Sequence, residues 1–187
     1  MSGGSVSRTA FLVLALLLSA CNGDDLAPSG EDKRQQVVPG SIGYHPSQQA
    51  ADFTLRDSSG NEFRLSDQLA GADALVLYFT MWCPICLGHS DHMVYAVMPQ
   101  FQNRGTVRYV LVDYVSGSVS QSRAAESANG YAGSGFVVLA DMQQHVFRQF
   151  NAAMGSVVVV DSSGVIRLNE DYRNGEHLMD SLDRLLP

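Results

Sequence analysis

Residues 75–86 read LVLYFTMWCPIC, an apolar run that leads directly into a Cys-x-x-Cys pair. The run at 75–79 is continuous, as expected for a β-strand covered on both faces. A helix is predicted after it, which places Cys83 at a helix N-terminus, where free backbone N–H groups and the helix dipole favour a thiolate. Such a thiol titrates at roughly pH 3.5–7.5 instead of about 8.5. Cys83 and Cys86 therefore predict thiol–disulfide exchange.

Strand and helix patterns alternate on both sides of this pair. Hairpins with Asp-Ser-Ser-Gly turns are predicted over residues 52–65 and 157–168. Pro99 is expected to kink the helix after the cysteines, because it cannot donate to a carbonyl one turn earlier. Further strands are predicted at residues 107–112 and 136–140. Three more helices are predicted: one capped by Ser118 with Gln121, one capped by Asp141 with Met142, Val146 and Phe150 on one face, and one capped by Asn174 with Leu178, Leu182 and Leu185 on its apolar face. The pattern predicts an α/β domain over residues 50–187, with a central mixed sheet and flanking helices.

The first 21 residues have the pattern of an export signal. Arg8 is followed by an apolar core at residues 10–18, which is shorter than the roughly 20 residues that a membrane-spanning helix needs. Leu18-Ser19-Ala20-Cys21 resembles the bacterial lipobox, so Cys21 is predicted to be the lipid-modified first residue of the mature protein. The alternative is an ordinary signal peptide followed by a free cysteine. The expected location is the cell envelope, anchored by lipid and facing the periplasm or the cell exterior.

The composition excludes several classes of partner. The chain carries 12 basic and 19 acidic residues, a net charge of −7, which argues against nucleic acid and against electrostatic binding to anionic lipid. Residues 22–49 are rich in Gly, Pro, Ser, Asp and Gln, and they are interpreted as a flexible tether.

The cysteine count favours redox chemistry over the alternatives. Once the signal is removed and Cys21 modified, Cys83 and Cys86 are the only free thiols, and disulfides persist in exported proteins. A closed zinc site needs four ligands, and no second Cys-x-x-Cys exists. Leu87 stands where a c-type haem site needs histidine. No metal or cofactor is therefore expected; the expected partners are disulfide-bearing extracytoplasmic proteins and a redox partner that resets the pair. The alternative is that Cys83 and Cys86 form a structural disulfide without redox activity.

The domain resembles exported thioredoxin-fold redoxins, namely TlpA/ResA-like thiol–disulfide oxidoreductases and their relatives in the alkyl hydroperoxide reductase/thiol-specific antioxidant group. The match is carried by residues 52–55, Gly60, residues 65–67, Trp82-Cys83-Pro84-Ile85-Cys86 and residues 160–164. The resemblance implies a thioredoxin-like fold with an N-terminal hairpin and an inserted strand and helix at residues 136–150. It also implies that Cys83 attacks and Cys86 resolves, with Trp82 and Pro84 flanking them.

Two departures from that family concern the surroundings of the cysteines. The family's cis-proline should fall near Gly155, where this chain has no proline, so a trans backbone is expected. His89 stands where many relatives carry glutamate three residues after the second cysteine. His89 and His92 are expected to be solvated, with His89 able to tune a cysteine pKa. Trp82 is interpreted as a lid beside the disulfide or as a packing residue.

Two other functions stay open. Thr80 lies three residues before Cys83, as in the T-x-x-C of peroxiredoxins, which favours a thiol peroxidase. Val76 replaces the proline of that motif, and no catalytic arginine can be assigned among Arg123, Arg148 and Arg173.

The second open function is that of a non-enzymatic copper carrier similar in role to Sco proteins, although those space their cysteines by three residues. Four ligands cannot converge from one helix, but Cys86 with His89, or Cys83 with an outside group, suits Cu(I).

Overall fold

A computed structural model describes residues 36–187 of the chain. The strands are β1 (Thr54–Asp57), β2 (Glu62–Arg64), β3 (Ala74–Thr80), β4 (Val107–Asp113), β5 (Phe136–Ala140), β6 (Ser156–Asp161) and β7 (Ile166–Asp171). The helices are α1 (Leu65–Leu69), α2 (Pro84–His92), α3 (Met98–Phe101), α4 (Val119–Ala128), α5 (His145–Gln149) and α6 (Glu176–Leu185), with a π-helical segment (Met93–Val97) between α2 and α3. None of the helices in this part of the chain is long and apolar enough to cross a membrane.

The seven strands form one mixed sheet in the order β2-β1-β5-β4-β3-β6-β7. Strands β3, β4 and β5 are parallel, whereas β1, β6 and β7 pair with their neighbours in the antiparallel sense. All seven residues of β3 are buried, and separate apolar clusters cover the two faces of the sheet. The predicted α/β class, the N-terminal hairpin and the inserted strand and helix are confirmed.

The helix that follows the cysteines changes its winding before Pro99. The backbone N–H of Met98 bonds the carbonyl of Met93, a π-type spacing, and α3 then begins with Pro99 near its N-terminus. A proline cannot donate a backbone hydrogen bond, so the widened turn accommodates the missing donor. The π-helical segment thus lies directly before the proline at which the sequence predicts a kink.

Of the three predicted caps, Ser118 is the N-cap residue of α4, whereas the N-cap residues of α5 and α6 are Gln144 and Gly175. The Ser118 hydroxyl accepts from the Gln121 N–H, and the Asn174 side chain accepts from the Glu176 N–H. The Asp141 carboxylate accepts from the N–H groups of His145 and Phe147, so α5 starts only at His145. Met142 therefore precedes the helix and is 49% exposed, and its predicted place on the apolar face is wrong.

The segment before the domain also differs from expectation. The Ser47 N–H donates to the Ile166 carbonyl, and the Ile166 N–H donates to the Gln48 carbonyl. Gln48 is buried, and Gln49 forms a bridge to Val165. Residues 37–49 thus belong to the folded unit Val37–Pro187, and the predicted boundary at residue 50 lies too late in the chain. The predicted signal segment, Cys21 and the earlier part of the tether lie outside the described residues.

The register of β3 and β6 places two loops side by side. Tyr78 pairs with Val157 in the antiparallel ladder, so the carboxyl end of β3 meets the amino end of β6. The Gly155 N–H continues this ladder by donating to the Phe79 carbonyl at 3.0 Å. Residues 81–83 and residues 151–155 therefore lie together at one edge of the sheet.

Candidate active site

Cys83 is the N-cap of α2, as the sequence indicates. Its backbone is extended, its sulfur accepts the backbone N–H of Cys86 at 3.3 Å, and Pro84 occupies the first turn, where a missing N–H is harmless. The two sulfur atoms are 3.0 Å apart, and both cysteines are free thiols. Cys83 is partly exposed while Cys86 is fully buried. An incoming partner can therefore reach only the first sulfur.

The surroundings of Cys83 stabilise its thiolate. The hydrogen bond from the Cys86 thiol lowers the pKa of Cys83 most, and the backbone N–H groups of Cys86 and Ile85 lower it further. Slight burial opposes this shift. Hydrogen bonds to the charged form favour ionisation, and the positive end of the helix dipole acts in the same direction. Cys83 is the better nucleophile of the pair on grounds of both access and charge.

The loop opposite the cysteines carries a residue that sequence reasoning missed. Met154 places its thioether sulfur 3.7 Å from the Cys83 sulfur, although 71 positions separate them in the chain. Gly155 follows in the left-handed region at φ +84°, and none of the peptide bonds in residues 36–187 is cis. The backbone near Gly155 is trans, as expected, and glycine supplies the turn where the family has proline. The one indication of Met154 in the sequence is its place directly before Gly155, where the family has its proline.

His89 faces the protein interior. Its Nδ1 atom lies 2.9 Å from the hydroxyl of Tyr78, which is fully buried, and its ring lies 4.9 Å from the ring of Tyr172. Burial, and then the nearby His92, lower the pKa of His89. His92 likewise places Nδ1 at 2.6 Å from the Tyr172 hydroxyl. Both histidines are only partly exposed, and one ring nitrogen of each pairs with a buried tyrosine, so the expectation that they are solvated holds only in part.

The Tyr78 hydroxyl belongs to the buried side of the site. Burial raises the pKa of Tyr78 far above its ordinary value, and the charges of Cys86 and Cys83 raise it further. Tyr78 therefore stays protonated and acts as a neutral hydrogen-bonding group beside Cys86. The sequence shows this residue only as an apolar strand position.

Trp82 and Thr80 shape the turn between β3 and α2. Trp82 adopts the left-handed conformation at φ +60°, and its backbone N–H donates to the Thr80 hydroxyl at 3.0 Å. The indole ring lies 6.2 Å from the ring of Tyr131, and its Nε1 atom is buried without a partner. Trp82 packs against the apolar cluster at the back of the cysteines, which favours its packing role. The buried Thr80 hydroxyl fixes the turn.

Neither an arginine nor a metal cluster accompanies the cysteines in the described part of the chain. Arg123 and Arg148 donate to the backbone carbonyls of Ser58 and Gln143, and no hydrogen bond or ion pair among residues 36–187 joins an arginine to either cysteine. No group of three or more His, Cys, Asp or Glu side chains in this range is arranged to hold a metal ion.

This geometry agrees with the family to which the chain belongs. Residues 46–169 match the model of the AhpC/TSA family, which covers most of the folded unit, and the chain is a member of that family. It is accordingly an oxidoreductase of the redoxin class, either a thiol–disulfide oxidoreductase or a peroxiredoxin-like enzyme.

Solved structures confirm the thioredoxin-like fold. A candidate protein disulfide isomerase from Bacteroides thetaiotaomicron superimposes with a TM-score of 0.63 at 18% identity, covering 79% of this chain and 94% of the other. The dsbF protein of MTB gives a TM-score of 0.54 at 22% identity, with coverage of 71% and 94%. Peroxidoxin BcpB from Mycobacterium tuberculosis gives 0.57 at 21% identity, with coverage of 73% and 93%. No curated protein matches the chain.

Proposed function

We propose that the protein is a thiol–disulfide oxidoreductase of the cell envelope that exchanges disulfides with partner proteins through Cys83 and Cys86. The observation that carries the proposal is the asymmetry of the pair. Cys83 is accessible, caps a helix and has a lowered pKa, whereas Cys86 is buried 3.0 Å behind it. The structures of dsbF and of the candidate disulfide isomerase, which share this fold, support the assignment.

In the reducing direction the Cys83 thiolate attacks one sulfur of a partner disulfide. A mixed disulfide forms, and the other partner sulfur leaves as a thiolate that takes up a proton. The Cys86 thiol then loses its proton and attacks the Cys83 sulfur, which releases the second partner thiolate. The partner gains two electrons and the protein retains a Cys83–Cys86 disulfide. A second dithiol protein must reduce that disulfide before another turnover.

The direction of exchange depends on the reduction potential of the pair. Related dithiols span about −270 to −120 mV, and stabilisation of the reduced form by its thiolate moves the value toward the oxidising end. Equilibration of the full chain with glutathione buffers, followed by thiol counting, measures this potential. A strongly negative value assigns a reductant, and a value near the upper limit assigns a disulfide donor.

The test of the chemistry is trapping. The reduced full chain is mixed with a disulfide-bonded protein, and the Cys86→Ser variant is expected to accumulate a mixed disulfide through Cys83. Cys83→Ser should give no such adduct and no exchange. Absence of exchange by the wild type, or trapping through Cys86 instead, overturns the proposal.

We also propose the lipid anchor at Cys21. The support is the sequence Leu18-Ser19-Ala20-Cys21 at the end of an apolar segment. In a bacterial host, labelled palmitate should be incorporated into the wild type and lost in Cys21→Ala, with the protein released from membranes by that substitution. Equal labelling of both forms contradicts the anchor.

Family membership makes thiol peroxidase activity the second candidate. In that reaction the Cys83 thiolate takes the terminal peroxide oxygen and becomes a sulfenic acid, the alcohol leaves, and Cys86 displaces water to close the disulfide. Arg123 and Arg148, however, are engaged with the backbone carbonyls of Ser58 and Gln143. Stoichiometric peroxide should therefore oxidise reduced Cys83 only slowly, and fast oxidation would instead establish the peroxidase.

A further inference from the structure

Three sulfur atoms from two distant parts of the chain converge at the mouth of the site. The Cys83 sulfur lies 3.0 Å from the Cys86 sulfur and 3.7 Å from the Met154 thioether. Met154 is 40% exposed and Cys83 is partly exposed, so the cluster opens toward solvent while Cys86 forms its floor. Disulfide exchange requires the two cysteines and gives no role to the methionine sulfur.

The chemistry of this set selects a soft cation. Thiolate and thioether sulfur together favour Cu(I), whereas zinc sites use thiolate, imidazole and carboxylate ligands. Residues 36–187 offer no group of three such zinc ligands. His89 is not available as a copper ligand through Nδ1, because that atom pairs with the Tyr78 hydroxyl. The structure thus favours three sulfur atoms as copper ligands over the Cys86–His89 pair that the sequence suggested.

Charge and backbone geometry favour the same ligand. Cu(I) bound by two thiolates and a neutral thioether carries one net negative charge, which the N-terminus of α2 stabilises. The Gly155 N–H bonds the Phe79 carbonyl, so the loop that carries Met154 is fixed to the end of β3. The backbone next to Met154 is therefore held beside the cysteine pair by the sheet.

We propose that the reduced protein binds one Cu(I) ion through Cys83, Cys86 and Met154. Oxidation of the two cysteines by a partner disulfide transfers two electrons to the partner, closes the Cys83–Cys86 bond and releases the copper ion without a change in its own oxidation state. Metal binding and disulfide formation exclude each other, because both use the same two thiolates. The binding site goes beyond disulfide exchange and does not require it, whereas the release step rests on the proposed function.

The test is an anaerobic titration of the reduced full chain with Cu(I) against a chromophoric competitor. Wild type should bind one equivalent, and the disulfide form should bind none. Met154→Leu should weaken binding by about tenfold or more. Met142→Leu, an exposed methionine substituted in the same way, should leave the affinity unchanged. X-ray absorption should find three sulfur neighbours around copper in wild type and two in Met154→Leu.

Two results overturn this inference: equal affinity and equal sulfur coordination in wild type and Met154→Leu, or a wild type that binds Cu(I) no better than a Cys83→Ser/Cys86→Ser double variant. A disulfide-exchange assay on the same wild-type preparation separates the two proposals. Exchange without copper binding removes only the copper site. Copper binding without exchange supports this site and removes the proposed oxidoreductase function.

Discussion

The Tyr78 hydroxyl lies 2.9 Å from Nδ1 of His89 and joins the central strand to the helix that begins at the cysteines. Tyr78 is fully buried, and His89 lies three residues after Cys86 on α2. The pair thus occupies the closed side of the site, opposite the opening at Met154. It places a neutral hydroxyl and a titratable imidazole close to the buried sulfur of Cys86.

Replacing Tyr78 with phenylalanine tests this contact. Tyr78→Phe removes the hydroxyl and leaves His89 Nδ1 without its partner, so we expect the free energy of unfolding to fall by about 1 kcal/mol. We also expect slower resolution of a mixed disulfide on Cys83. Urea denaturation and stopped-flow exchange measure the two effects. Tyr95→Phe, at a position 79% exposed, is the matched control and should change neither; a Tyr78→Phe variant that behaves like it removes any role for the contact.

The lowered pKa of Cys83 gives a second prediction. Because the Cys86 thiol is the main cause, Cys86→Ala should raise the pKa of Cys83 toward its ordinary value without reaching it, since the backbone N–H of residue 86 remains. The pH dependence of iodoacetamide labelling at Cys83 measures the change. An unaltered profile in Cys86→Ala would show that the helix N-terminus alone sets the pKa.

The same shift affects stability. The folded chain releases the Cys83 proton at lower pH than the unfolded chain, so between the two pKa values the unfolded state binds more protons. The stability of the reduced protein should therefore rise with pH through that window and lose this contribution as pH falls through the folded pKa. Urea titrations of reduced wild type and Cys83→Ser across this range should show the rise in wild type only.

His89 should make the protein less stable in acid. Its pKa lies below the ordinary value of 6.5, so on acidification the unfolded chain takes up a proton before the folded chain does. The free energy of unfolding should fall as pH drops below about 6.5, until the folded pKa is reached. A Cys83→Ala/Cys86→Ala background removes the thiol contribution. His89→Gln should flatten the slope in that background, whereas His145→Gln, an exposed position, should not.

Two glycines give opposite expectations for the same substitution. Gly155→Ala places a side chain at φ +84°, which should cost about 1–2 kcal/mol of stability. A Cβ there meets the Tyr78 hydroxyl only at 3.6 Å, an ordinary contact, so the cost comes from the backbone. Gly88→Ala lies within α2 with no atom within 4 Å of its Cβ, and it should stabilise by up to about 1 kcal/mol. Thermal unfolding of both variants measures the difference; equal shifts would contradict the backbone argument.

The sequence predicts the parts of this protein that local patterns determine. The apolar run at 75–79, the Cys-x-x-Cys pair and the two glycine turns place β3, the start of α2 and both hairpins. The contacts that cross the fold are not predicted: the resemblance places the loop at Gly155 near the cysteines, but it does not indicate a contact between the Met154 and Cys83 sulfur atoms. The same holds for His89: a polar residue on a short helix is predicted to face solvent, and only the position of Tyr78 in the sheet shows that its Nδ1 atom is paired inside the fold.

Polar composition was equally insufficient for residues 37–49. Their Gly, Pro, Ser and Gln content is typical of a flexible chain, but backbone groups of Ser47 and Gln48 complete hydrogen bonds of β7. The prediction for Met142 was wrong for a related reason: the Asp141 carboxylate accepts hydrogen bonds from N–H groups further along the chain, so the helix begins later. Both errors arise from hydrogen bonds whose partners cannot be chosen from composition.

Because Cys86 is completely buried, the two thiols of the native reduced protein should be modified by a reagent at very different rates. A bulky maleimide should modify Cys83 in the folded state but reach Cys86 only when the first turns of α2 detach from the sheet. Under conditions where each opening leads to modification, the appearance of doubly labelled chain then counts openings of this helix. The buried thiol is a built-in probe of local unfolding at the end of the molecule that carries the cysteine pair.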